Sequence, residues 1–176
     1  MKKFIAISGS LRNGSFNTNL LQAAIELAPE GVEIKIMEIG SLPMYNQDLE
    51  AAFPQEAQML KDAIEGADGV IFATPEYNRS IPSVLKNAID WASRPWGQNS
   101  FAKKPILILG ASVGPIGTAV AQNHLKTIMN YLDTHVVGQP EFYMGTAQDK
   151  FDATGKLTDE SSREHLRKAL ETLANI

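Results

Sequence analysis

The sequence predicts an α/β fold, a doubly wound five-stranded parallel sheet between two layers of helices. Two observations carry this. Short apolar runs of strand length alternate along the chain with stretches of helical periodicity, the pattern of successive β-α units. The runs also differ in character, some apolar on both faces and some alternating, which ranks them from the centre of a sheet to its edge. Length and composition agree: 176 residues, 44% hydrophobic and 20% charged, suit one soluble domain spanning residues 1–176.

The first run, Phe4 to Ile7, follows Met1-Lys2-Lys3 and ends at Ser8-Gly9-Ser10. It is too short for a signal segment or a membrane span, so a cytoplasmic protein is expected. Leu20, Leu21, Ala24, Ile25 and Ala28 then mark a helix with one apolar stripe. Val32-Glu33-Ile34-Lys35-Ile36 alternates, which suits an edge strand. A second helix around Ala57, Leu60 and Ile64 has the weakest periodicity of the set. Val70 to Ala73 is apolar throughout and precedes a helix striped by Val84, Leu85, Ala88, Ile89 and Ala92. Ile106 to Leu109 is again continuous, and Ala121, Leu125, Ile128, Met129 and Leu132 mark the fourth helix. The fifth run, His135 to Val137, is broken by Gly138 and Pro140, as an edge tolerates. Leu166, Ala169, Leu170 and Leu173 form the last helix, behind a capping box from Ser161 to Glu164. With the alternating and interrupted runs at the edges, the strand order is 2-1-3-4-5, the three-layer flavodoxin-like arrangement. Ligands of such sheets sit beyond the carboxyl ends of the strands, where the winding reverses.

Charge and residue types narrow the chemistry. A formal net charge of −4 without a long run of like charge argues against nucleic-acid binding. With no cysteine, disulfides, thiolate metal sites and cysteine nucleophiles are excluded. His124, His135 and His165 lack metal-ligand spacing and read as helix-face or strand-end residues, so no metal is assigned.

Three loops fall at the carboxyl end of the inferred sheet. Ser8 to Thr18 carries glycines, four hydroxyl groups and Arg12 immediately before a helix. It reads either as a phosphate cradle or as an ordinary strand-to-helix turn capped by Ser or Asn. A Walker A loop is excluded, since Ser15-Phe16 stands where Lys and Ser or Thr are required, and no G-x-G-x-x-G is present. Thr74 to Pro82 is bracketed by proline; it could present amides and the face of Tyr77 to a flat heteroaromatic edge, or serve as a rigid connection with Ser80 capping the third helix. Gly110 to Gly117 is rich in small residues and lets a ring approach the backbone. Strands one, three and four are neighbours, so one ligand could touch all three loops.

Taken jointly, Gly9-Ser10-Leu11-Arg12 with Ser15 and Asn17, Pro75-Glu76-Tyr77-Asn78 with Ser80 and Pro82, and Leu85-Lys86-Asn87-Ala88-Ile89-Asp90-Trp91 resemble the NADPH-dependent FMN reductase family. That family includes bacterial quinone, chromate and azo-dye reductases, and the resemblance runs from Lys3 to about Met144, more loosely through the last helix. It implies an FMN-dependent oxidoreductase passing hydride from NADPH or NADH to quinones or similar small acceptors by ping-pong turnover, with the chemistry carried by the flavin and no catalytic side chain. It further implies that Ser10, Arg12, Ser15, Phe16, Asn17 and Thr18 surround the FMN phosphate. Pro75, Glu76, Tyr77 and Asn78, with Ser112, Val113 and Gly114, are expected at the ring. Arg79 and Thr118 depart from the commonest family pattern, where an aromatic or small residue and a second glycine are frequent. The alternatives are a flavodoxin-type electron carrier, whose strongly acidic surface is missing here, and a flavin-bound sensor, for which the sequence offers no effector domain.

Downstream of the third helix, Asp90 and Arg94 are spaced for a helix pair. Trp91 and Trp96 with Pro95 read as an aromatic patch that packs into a subunit contact. A homodimer or homotetramer is expected, because in many members of that family the flavin lies close to a subunit boundary.

Overall fold

The computed structural model describes residues 1–176. Strands β1 (Lys2–Ser8), β2 (Val32–Ile36), β3 (Gly69–Ala73), β4 (Pro105–Ala111), β5 (His135–Val136) and β6 (Phe142–Met144) form one parallel sheet. Around it run α1 (Phe16–Glu26), α2 (Gln55–Glu65), α3 (Ser83–Ala92), α4 (Ala119–Tyr131) and α5 (Glu160–Ala174). The order is 2-1-3-4-5 as expected. β1 runs between β2 and β3, pairing Phe4 with Ile34 on one side and with Gly69 on the other.

The fifth position is divided. β5 pairs with the start of β4, His135 opposite Pro105, and β6 with its end, Phe142 opposite Leu109. Gly138 and Pro140 lie between these stretches, where a proline without an N–H cannot continue the ladder.

Alternation along the central strands distributes the core over both faces. Phe4, Ala6, Ile71, Ala73, Leu107 and Leu109 pack with Leu20, Leu21 and Ala24 of α1 and Leu166, Ala169, Leu170 and Leu173 of α5. Ile5, Ile7, Val70, Phe72, Ile106 and Ile108 pack with Leu60 and Ile64 of α2, Leu85, Ala88 and Ile89 of α3, and Leu125 and Met129 of α4. Burying each of the larger side chains contributes about 1.5–3 kcal/mol. β2 alternates in exposure, as its edge position requires. Ile25 of the first helix, expected in its buried stripe, is exposed instead.

Three local expectations are corrected. The cap of α5 is Asp159, which accepts from Ser162 N at 2.8 Å, not a box built on Ser161. α3 starts after Pro82 with no side-chain cap; Ser80 Oγ lies 3.2 Å from His124 Nδ1 instead. Trp91 is not on the surface: fully buried, it donates from Nε1 to Pro43 O at 2.8 Å and meets Tyr45 and Phe53 edge-on. No helix is long and apolar enough to cross a membrane.

Candidate functional site

The β1 loop begins with a close approach. Gly9 N donates to Ala73 O at 2.8 Å. A Cβ on Gly9 would stand 3.2 Å from both Pro75 Cδ and Leu85 Cδ2, so the residue's small size brings this loop against the β3 loop. The chain then turns through Gly14 at φ 66°, and Ser15 caps α1 by accepting from Asn17 N at 3.2 Å. Ser10 N donates to Ser8 Oγ at 3.3 Å, and Ser8 Oγ lies 2.9 Å from Thr18 Oγ1.

The result is a cavity of about 260 Å³ walled by Ser10, Arg12, Ser15 and Thr18 and, from the other side, by Ile36 to Ile39 at the end of β2. It lies at the first turn of α1, where backbone amides lack intrahelical partners and the helix dipole favours an anion. The Arg12 guanidinium is exposed over the Phe16 ring, 5.5 Å from its centroid, with a single long bond to Gly14 O at 3.4 Å. Most of its donors are therefore free for a phosphate. The hydroxyl-rich walls, helix start and exposed cation fit a phosphomonoester.

Phe16 and Asn17, expected with the other residues of this loop, are not among those that line the cavity. Phe16 stacks on Phe151 with centroids 5.5 Å apart, and the Asn17 amide is buried in a two-way bond with β4. Asn17 Nδ2 donates to Ala111 O at 3.0 Å and Oδ1 accepts from Ala111 N at 2.9 Å. Both side chains turn into the fold, so what these residues offer the cavity is confined to backbone amides at the start of α1.

The β3 loop is a tight hairpin. Tyr77 and Ser80 exchange both backbone bonds at 3.0 Å around Asn78 and Arg79, which have φ of 51° and 63°. Two successive left-handed residues give the twist of a type I′ turn. Glu76 holds it in place: Oε1 accepts from Arg79 Nη1 at 3.0 Å, while Oε2 accepts from Val120 N at 3.0 Å and Ala121 N at 3.1 Å. The carboxylate thus neutralises Arg79 and caps α4, and only the backbone of Glu76 remains for a ligand. Tyr77, 52% exposed, presents its ring outward from the hairpin.

The β4 loop is stitched to the far side of the sheet. Ser112 N donates to Met144 O at 2.9 Å, Ala147 N to Ser112 O at 3.0 Å and Thr146 N to Gly114 O at 3.3 Å. Ser112 Oγ closes the turn on Gly114 O at 3.0 Å, leaving Val113 65% exposed at its tip. Gly117, at φ 64°, passes so close to the backbone of Tyr143 that a Cβ would meet it at 2.7 Å.

Three specific links therefore join the three loops: Gly9 against Pro75, Asn17 to Ala111, and Glu76 to Val120. The structure brings Ser10, Arg12, Ser15 and Thr18 together around one cavity and sets the Pro75–Asn78 hairpin and the Ser112–Gly114 turn at the same end of the sheet. The contribution of Ile36 to Ile39 was not anticipated. Nothing in that stretch marks it, beyond the position of strand two beside strand one.

A larger cavity, about 680 Å³, lies elsewhere, between α3 and α4. Its lining includes Ile89, Arg94, Trp96, Ile128, Tyr131 and Leu132, with Trp96 77% and Tyr131 73% exposed. Asp90 pairs with Lys86 at 2.7 Å, not with Arg94, whose guanidinium lies 5.6 Å from the Tyr45 ring centroid and 5.9 Å from that of Trp96.

The sequence profile described as NADPH-dependent FMN reductase matches residues 2–149. The chain is 46% identical over 172 residues to a 2-hydroxy-1,4-benzoquinone reductase of Burkholderia sp, covering 98% of this chain and 94% of the other. It is 48% identical over 172 residues to an NAD(P)H-dependent FMN reductase of Pseudomonas aeruginosa, covering 97% and 92%. Among solved structures, the flavoenzyme FerB, an NAD(P)H:(acceptor) oxidoreductase from Paracoccus denitrificans, superposes with a TM-score of 0.93 at 40% identity over 99% of this chain and 96% of that one.

Proposed function

This chain belongs to the NADPH-dependent FMN reductase family, and from that premise we propose that residues 1–176 act as one FMN-binding domain that oxidises NAD(P)H and reduces quinones. The observation that carries the reading is the hydroxyl-lined cavity at the start of α1, joined through Gly9, Asn17 and Glu76 to the two loops that would flank a ring. FMN, when bound, supplies the hydride chemistry at its ring. The protein supplies binding and orientation. Ser10, Ser15 and Thr18 would offer hydroxyls to the phosphate, Arg12 would offer guanidinium donors for a charge-assisted pair, and the first amides of α1 would complete the cradle. The Pro75–Asn78 hairpin and the Ser112–Gly114 turn would hold the ring between them. Tyr77 and Val113, both well exposed, would border the face left open to NAD(P)H and quinone.

The apolar groove between α3 and α4 is the self-association surface in this reading. Trp96 and Tyr131 are too exposed for side chains of their size unless something covers them. The homologues named for quinones support small-molecule acceptors. The test is the absorbance spectrum of the purified protein and its bleaching under nitrogen by NADH and by NADPH. A flavin spectrum that both donors bleach, and that a quinone restores, is expected. A bound flavin that neither donor reduces would favour an electron carrier.

A further inference from the structure

Two unfavourable features meet where β4 hands over to α4. Thr118 has φ 69° and ψ 20°, a left-handed conformation that a β-branched residue adopts at a cost, and it is 1% exposed. Although it is the capping residue of α4, its hydroxyl caps nothing; that task falls to Glu76. Thr118 Oγ1 instead accepts from Gln122 Nε2 at 3.1 Å, and the same amide donates to Phe142 O at 2.8 Å. Gln122 is fully buried and its Oε1 has no donor. A strained threonine held by an incompletely paired buried amide is a costly arrangement, and its contacts show what the pair positions.

The partner surface is Gly110. A Cβ there would stand 1.8 Å from Thr118 Oγ1 and 2.8 Å from both Gln122 Nε2 and Thr74 O. The Thr118 hydroxyl thus occupies the volume that any side chain at residue 110 would claim. Toward β6 the loop is held by backbone bonds, Ser112 N to Met144 O and Thr146 N to Gly114 O. On the sheet side, its junction with α4 is set by Thr118.

We propose that Thr118 is a positioning residue for the flavin: seated on Gly110 and gripped by Gln122, it fixes the pose of the Ser112–Gly117 loop against the ring, and residues 110 and 118 share one volume that only one of them can fill. The inference rests on the reading that this loop borders FMN. It makes Gly110 and Thr118 an interdependent pair rather than two independent small residues.

The experiment is a double-mutant cycle on the full chain: Gly110→Ala, Thr118→Gly and both together. The dissociation constant for FMN, the midpoint potential of the bound flavin and the melting temperature of the apoprotein are measured for each. Gly110→Ala is expected to weaken FMN by about tenfold or more and to shift the potential. Thr118→Gly relieves the left-handed strain, so the apoprotein melts within a few degrees of the parent while FMN binds roughly three- to tenfold more weakly. In the double variant the methyl no longer meets the hydroxyl, its nearest obstacle, while Thr74 O and Gln122 Nε2 remain at 2.8 Å, so Gly110→Ala is expected to weaken FMN less in the Thr118→Gly background than in the parent. Parental FMN affinity in Gly110→Ala would overturn the proposal. So would losses that simply multiply, which would assign the collision to the Thr74 carbonyl. Failure of the parent to bind FMN would overturn the flavin reading and this inference together, whereas a flavin-binding parent with an additive cycle overturns this inference alone.

Discussion

Glu76 caps a helix to which it does not belong: its Oε2 accepts from Val120 N at 3.0 Å across 44 residues of chain. The same carboxylate neutralises Arg79, so hairpin and helix are locked by one side chain. Replacing Glu76 with Ala frees the first amides of α4 and strands Arg79 in its left-handed turn. Apoprotein stability should fall by about 1–2 kcal/mol, the scale of losing a cap with its favourable helix-dipole charge. Glu76→Gln keeps an acceptor and should recover part of that loss. Urea unfolding of the three proteins checks this; equal midpoints would mean that solvent caps α4 equally well.

Arg12 is parked on Phe16 with one weak bond, which makes it available without making it structural. Arg12→Ala should leave the melting temperature of the apoprotein within a degree or two and weaken FMN about tenfold or more, at roughly 1.5–3 kcal/mol for a charge-assisted bond. Riboflavin, lacking the phosphate, should bind much more weakly than FMN to the parent and equally to parent and variant. Titrations by flavin fluorescence read both, and comparable parental affinity for FMN and riboflavin would sink the phosphate assignment.

The strand order was legible because burial dictates composition strand by strand. β3 is buried on both faces and reads as Gly69-Val70-Ile71-Phe72-Ala73, whereas β2 alternates at the edge. β6 was missed because three residues carry no periodicity. Among the candidate residues, Ser10, Ser15 and Thr18 meet around one cavity, as a local pattern before and within the first turn of a helix leads one to expect. Those acting across the chain were not legible. The bond between Asn17 and Ala111 spans 94 residues, and an asparagine at a helix start looks the same whether it faces a ligand or a neighbouring strand. Lys61 is the sharpest case. It lies buried on α2, donating to Gln98 O at 2.6 Å and Ser100 Oγ at 2.8 Å, and burial holds its ammonium pKa below the usual lysine range. A lysine in a helix gives no sign that it pins the loop carrying Trp96.

Self-association is the third expectation. If the groove between α3 and α4 is covered by a second copy, a carboxylate added to its lining must be desolvated on association, even with Lys86 and Arg94 in the same lining. Ile128→Glu should weaken the assembly by roughly a hundredfold or more, about 3 kcal/mol. Light scattering at micromolar concentration should then give a larger mass for the parent than for the variant. A parent of monomer mass would remove the groove from consideration.

Asp159 supplies a pH dependence whose sign is fixed by its surroundings. Hydrogen bonds from Ser162, through the hydroxyl and then the backbone amide, hold its carboxyl below the ordinary aspartate range, and Lys150 adds to this. The folded protein therefore binds this proton less readily than the unfolded chain, whose aspartates titrate near about 3.9. The stabilisation is present in full above that value and disappears as pH falls through the lower folded-state value. Asp159→Ala should cost about 1 kcal/mol at pH 7. The gap to the parent should narrow in acid, while Asp159→Asn keeps the cap and loses the pH dependence. Urea midpoints between pH 7 and 3 test this, and a gap that widens in acid would contradict it.

The last expectation concerns how donor and acceptor share the site. With no cysteine anywhere in the sequence, neither a disulfide relay nor a thiolate-bound cluster can carry electrons away from the flavin. In the proposed site, Gly9, Pro75 and the Asn17–Ala111 bond would close one side of the ring. The other is bordered by Tyr77 and Val113, which are 52% and 65% exposed. NAD(P)H and quinone must then take turns on the same open face. Initial rates against NAD(P)H at several quinone concentrations should give parallel double-reciprocal lines, and high quinone should inhibit by occupying the oxidised protein. Tyr77→Ala removes the border of that face but none of the phosphate contacts, which belong to the β1 loop. It should lower turnover by about tenfold while changing FMN affinity by less than about threefold, since misplaced reactants lose far more rate than binding. Lines that intersect would instead require donor and acceptor to bind together, and equal losses in turnover and FMN affinity would place Tyr77 in the cofactor cradle rather than at its open face.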